Sequence, residues 1–124
     1  MSKFILLTGV ASLVLAVVFG AFGAHALKAK LAEELMKVYK TGVEYHFYHA
    51  LGLVLIGILS LQFPSVLINW SGICLIAGLI FFSGSLYVMA LTGFKWLGAL
   101  TPLGGLCFIG GWILLFLGVW KNIR

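Results

Sequence analysis

Thr41-Gly42-Val43-Glu44-Tyr45-His46-Phe47-Tyr48-His49-Ala50 concentrates the side chains of this sequence that could do chemistry. It holds the one acid outside the Glu33/Glu34 pair and two of the three histidines, and it runs straight into the apolar stretch 51–61. Three kinds of work suit such a cluster. Imidazoles with a carboxylate can hold a metal or haem iron, and His46-x-x-His49 has workable helical spacing for it, with His25 as a third candidate ligand. Glu44 and His49 can exchange protons, which would serve a conduit for protons or a small solute. Hydrogen-bonded polar groups can also fix the register of packed helices with no turnover at all. The third use carries the most weight, because polar residues satisfied between membrane helices are common and no cysteine or second paired motif supports a metal.

What must position these groups follows from composition. The chain has 124 residues, of which 63% are hydrophobic and 9% charged, and its mean hydropathy is +1.19. Soluble domains carry roughly 25% charged residues, so this chain cannot cover a water-facing surface and a bilayer must be its solvent. The net charge of +5 is therefore no sign of nucleic-acid binding. Lys3, Lys28, Lys30, Lys37, Lys40, Lys95, Lys121 and Arg124 stand only at the ends of apolar runs, where they meet headgroups.

Continuous rather than alternating apolar runs predict helices, since the backbone in lipid must satisfy itself. Four spans are expected, over about 4–24, 43–61, 66–91 and 100–120. The first is too long for the usual signal-peptide core and is expected to be retained. Residues 28–40 carry Leu31, Leu35, Val38 and Tyr39 at helical spacing, with Glu33 and Lys37 as an i,i+4 pair. They predict a short amphipathic helix lying at the interface. Pro64 breaks the chain after span two, Gly93 stops span three and Pro102 suits the first turn of span four. Glycines such as Gly20, Gly23, Gly84, Gly104 and Gly105 predict close helix approach in a four-helix bundle. The larger basic count in the loops opposite the termini leans toward termini outside.

Threading four spans brings the end of span one, the start of two, the end of three and the start of four to one membrane face. That end would collect His25, Glu44, Tyr45, His46, Tyr48, His49, Ser83, Ser85, Tyr87, Thr92, Lys95 and Thr101, as a half-buried polar cavity opening to one side would. A carboxylate there needs a partner, so Glu44 should find Lys95, a histidine or hydroxyls. Cys74 and Cys107 read as small buried hydrophobes. Trp70, Trp96 and Trp120 read as interface anchors and Trp112 as core. No serine or cysteine has a nucleophile's setting and no phosphate loop appears, which argues against nucleophilic and nucleotide enzymes.

Four motifs in order, Gly20-Ala-Phe-Gly-Ala-His25, Thr41-Gly-Val-Glu44-Tyr-His-Phe-Tyr-His49, Phe82-Ser-Gly-Ser-Leu-Tyr87 and Thr101-Pro-Leu-Gly-Gly105, resemble the signatures of a family of small bacterial membrane proteins. It is known as domain of unknown function 423, UPF0382 or YgdD-like, and eukaryotic transmembrane protein 256 is similar. The resemblance implies four helices, an uncleaved first segment and an inner-membrane location, and it implies no activity. Its pattern matches at His25, Glu44, Tyr45, His49, Ser83, Gly84, Ser85, Tyr87, Thr101, Pro102 and Gly104. His46 lies outside that pattern, which shifts the weight of any site to His25, Glu44 and His49. The expectation is thus an all-α integral membrane bundle that is not an enzyme and needs no cofactor. It would work as a homo-oligomer or within a larger membrane complex, with lipid rather than nucleic acid as its partner.

Overall fold

The computed structural model describes residues 1–124, with Ala24 described by its backbone alone. Among the described residues there is no strand, and four helical rods are long and apolar enough to cross a membrane. The first is α1 (Ser2–Ala26) and the second α2 (Glu33–Gln62). The third rod, Val66–Thr92, joins α3 (Val66–Gly78) to α4 (Ser85–Thr92) through a π-helical turn at Leu79–Gly84. A 3₁₀ turn, Lys95–Ala99, then leads into α5 (Thr101–Asn122).

Local chemistry sets these boundaries. Gly93 takes φ +76 and its N–H bonds the carbonyl of Met89 at 2.8 Å, the left-handed stop that a glycine makes without strain. Pro102 occupies the first turn of α5, where a missing N–H costs nothing. The Ser65 hydroxyl accepts the Ile68 N–H and caps α3.

The separate interfacial helix expected over 28–40 is replaced by a different arrangement. Residues 27–32 turn, and Glu33 begins a single helix of 30 residues. No proline interrupts it, and Gly42 is not a break. It is the place where α4 approaches α2, so a Cβ there would stand 3.0 Å from the Tyr87 ring and 3.3 Å from Leu86 Cβ. At ~1.5 Å per residue α2 is about 45 Å long, beyond the ~30 Å of hydrocarbon, so its charged first turns project from the span. Glu33 and Glu34 sit in the first turn, where the helix dipole favours them.

Helix α2 and the third rod form the middle of the molecule, α1 packs along α2, and α5 packs along the third rod. Glycine sets the spacing. Cβ atoms at Gly9 and Gly57 would meet α2 and α1 backbone, Val54 N at 2.9 Å and Leu6 Cα at 2.9 Å. Gly20 fits under Val43 and Phe47, Gly23 under the Tyr39 ring, and Gly104 against the Phe82 amide nitrogen. Gly84 and Gly105 make only ordinary contacts, 3.8 Å to Leu79 O and 3.9 Å to Phe82 Cδ2, so the close approach expected there lies elsewhere. The apolar core gathers Ile5, Leu53, Ile56, Ile68, Leu75 and Phe108. Ile5, Ile56 and Ile68 place half of it toward the membrane face that holds the N-terminus. Trp112 is not the core residue expected: it is 38% exposed, with one ring edge laid over Gly52.

Candidate functional site

The antiparallel register of α1 and α2 decides which polar groups meet. Gly9 faces Val54, Gly20 faces Val43 and Gly23 faces Tyr39. His25 therefore lies opposite the first turns of α2, where it is exposed and lines a hollow with Lys28, Met36 and Lys40. Glu44, two turns further along α2, is also exposed, and the Tyr48 hydroxyl donates to its Oε1 at 2.6 Å. That hydroxyl, one turn away on the same helix, is the partner a carboxylate at this depth needs.

His49 is 6% exposed and turns to the opposite flank of α2. Its ring stacks on Phe108 of α5 with centroids 3.5 Å apart and lies 5.7 Å from Trp112. Its Nδ1 lies 2.8 Å from the carbonyl of Tyr45, and since a carbonyl only accepts, Nδ1 carries the proton. The expected convergence of His25, Glu44 and His49 does not occur. His25 lies in the hollow beside Lys28 and Lys40, Glu44 on the outer face of α2 and His49 against α5, so the three do not form one cluster. Among the described residues no three His, Cys, Asp or Glu side chains are grouped to hold a metal ion.

The polar centre is instead His46, also 6% exposed. Its Nε2 lies 2.9 Å from Ser12 Oγ of α1, and its Nδ1 lies 2.8 Å from the Tyr87 hydroxyl of α4. One imidazole thus joins three rods. Ser12 stands ten residues inside α1, about 15 Å from its start and about 21 Å from its end, so this junction is near mid-span rather than at a membrane face. Phe19 closes over it, edge to face with Tyr87 at 5.0 Å. Beside the triad, Ser83 donates to the carbonyl of Gly42 at 2.9 Å, tying the π turn to α2. Ser85 and Thr101 share a hydrogen bond of 2.7 Å that ties α4 to α5, and Ser85 also donates to Phe82 O. Tyr45 is exposed and packs on Phe82, with centroids 4.7 Å apart. Tyr39 is buried and donates to Phe19 O across the space Gly23 leaves open.

Ser83, Ser85, Tyr87 and Thr101 thus share one polar seam, while His25, Glu44 and Tyr45 lie outside it. Ser12 and Tyr39 were missed from sequence. The signal for Ser12 was present as Thr8-x-x-x-Ser12, two hydroxyls one turn apart in an otherwise apolar run.

A family model described as a protein of unknown function, DUF423, matches residues 19–105. UPF0382 membrane protein SH2409 of Staphylococcus haemolyticus is 45% identical over 121 residues, 98% of each chain. UPF0382 membrane protein YwdK of Bacillus subtilis is 43% identical over 122 residues, 98% of this chain and 99% of the relative. No solved structure matches. On the family match and on identities that run nearly end to end, the chain belongs to the DUF423, or UPF0382, family of membrane proteins.

Proposed function

We propose that this membrane protein is not an enzyme and acts by assembly, as a homo-oligomer or an accessory subunit in the bacterial inner (plasma) membrane. The observation that supports this reading is how the polar side chains inside the spans are used. Ser12, His46 and Tyr87 join α1, α2 and α4, Ser83 joins the π turn to α2, and Ser85 with Thr101 joins α4 to α5. Among the described residues no buried side-chain nitrogen or oxygen lacks a partner. Charged groups lie outside this seam. Such a network ties the helices together in one register, a use of polar groups that needs no turnover. Helices α1 and α5 lie on the flanks and turn large apolar side chains outward, Val14 and Val17 on one, Leu106 and Phe116 on the other. A neighbouring copy or subunit would pack there.

Cross-linking in native membranes followed by mass measurement tests the assembly, and a chain that stays monomeric at its natural abundance with no cross-linked partner would refute it. Proton flux into liposomes tests the conduit alternative. Wild-type protein and Glu44→Gln are expected to match protein-free vesicles. Flux carried by the wild type and lost in Glu44→Gln would replace assembly with transport.

A further inference from the structure

Ser12, His46 and Tyr87 form part of the lining of a groove of about 380 Å³ between α1 and the third rod. Phe19, Ile76 and Ser83 line it as well, and no Lys, Arg, Asp or Glu does. The outward faces of Leu15 and Ile80 flank it, so it opens sideways toward lipid.

Counting hydrogens in the triad shows what the groove offers. A neutral imidazole carries one N–H, and the two hydroxyls carry one hydrogen each. Three hydrogens are thus available for two bonds, Ser12 to Nε2 and Tyr87 to Nδ1. One hydroxyl hydrogen is always left over. If Tyr87 donates to Nδ1, then Nε2–H donates to Ser12 and the Ser12 hydrogen is spare. A helical serine can turn such a hydrogen to the carbonyl one turn back, although the hydrogen bond the structure records for Ser12 Oγ is the one to His46. If Ser12 donates to Nε2, then Nδ1–H donates to Tyr87 and the Tyr87 hydrogen is spare. A tyrosine hydroxyl cannot reach its own helix backbone. An unspent donor in an apolar setting is costly, so this second state is stable only when something in the groove accepts the hydrogen.

We infer that the groove between α1 and the third rod binds an uncharged, membrane-dissolved molecule with an apolar body and a carbonyl oxygen that accepts the Tyr87 hydrogen. The uncharged lining excludes ionic headgroups, whose desolvation nothing there would offset. The volume lies within the range of small-molecule sites, and an apolar wall with a few convergent polar groups is their usual make-up. Occupancy carries a signature of its own, because it moves the His46 proton from Nε2 to Nδ1.

The test uses the full chain in nanodiscs with ¹⁵N-labelled histidine and decylbenzoquinone as the carbonyl probe. Decylbenzene, which has the ring and chain without the carbonyls, is the control. Decylbenzoquinone is expected to bind saturably, at least tenfold tighter than decylbenzene, and to move the His46 signals from the Nε2–H to the Nδ1–H tautomer. His49, whose Nδ1 proton is held by Tyr45, should not move. Tyr87→Phe should weaken the quinone at least tenfold and leave decylbenzene unchanged. If that variant does not fold, the wild-type tautomer shift still decides. Equal binding of the two probes, as for a groove filled by acyl chains only, would overturn the inference, and so would no saturable binding or an unchanged His46 tautomer at saturation.

Discussion

Gly104→Ala is expected to lower stability by about 1–3 kcal/mol, the range for overpacking a well-filled interior. Two effects oppose each other at this position. Alanine in a helix interior is intrinsically favoured over glycine by roughly 0.5–1 kcal/mol, so the substitution would stabilise α5 in isolation. Within the bundle its Cβ would overlap the amide nitrogen of Phe82 and stand 2.7 Å from the Phe81 carbonyl carbon. Those are main-chain atoms of the π turn and cannot rotate away as a side-chain tip can. The only relief is to move the first turns of α5 off the third rod, which also stretches the 2.7 Å bond between Ser85 and Thr101. Sterics should therefore win. Gly110→Ala is the matched control on the same helix, because a Cβ there meets nothing within 4 Å. It should be neutral or stabilising by up to ~1 kcal/mol. In bicelles the unfolding midpoint should fall for Gly104→Ala and hold or rise for Gly110→Ala. Two shifts of the same sign would show that α5 does not meet the π turn at Gly104.

Glycine content announced close packing, but not which glycines would do it. Gly84 and Gly104 look alike in sequence, yet the π turn carries the Phe81–Phe82 peptide toward α5 and leaves Gly84 clear of any neighbouring rod. Nothing local in Leu79-Ile-Phe-Phe-Ser-Gly84 distinguishes a π turn from an α turn, since the choice depends on what packs against it. The four rods themselves were legible. Unbroken apolar runs between Pro64, Gly93 and Pro102 leave the backbone no other way to satisfy its hydrogen bonds in lipid. The site was half legible for a geometric reason. His46 and His49 are three residues apart, about 60° around the helix, which is enough to send one toward α1 and α4 and the other toward α5. Spacing alone cannot say which neighbour stands on which side. Resemblance to family signatures then pointed to His49 and away from His46, whereas the bonds between rods run through His46. His25 was misplaced because α1 runs on to Ala26, which carries it past the level of Tyr39 and away from the seam.

The two histidines make opposite demands on the fold, and substitution by phenylalanine separates them. Phenylalanine keeps ring volume and removes both nitrogens. At position 46 it strips the Ser12 and Tyr87 hydroxyls of their shared partner in a span where water cannot replace it. His46→Phe should therefore cost about 1–3 kcal/mol, the penalty for leaving buried polar groups unpaired. At position 49 the ring already stacks on Phe108, and its one bond goes to a carbonyl of its own helix. His49→Phe should stay within ~1 kcal/mol of the parent, as volume-conserving swaps do. A cycle pairing His46→Phe with Ser12→Ala isolates the link between α1 and α2. Its coupling should be about 0.6 kcal/mol, the average for hydrogen bonds between membrane helices, and below their maximum of ~1.7 kcal/mol. Reversible unfolding in bicelles provides all of these values. If His49→Phe proved the more damaging of the two, or if Ser12 and His46 failed to couple, register would not be set by the mid-span triad.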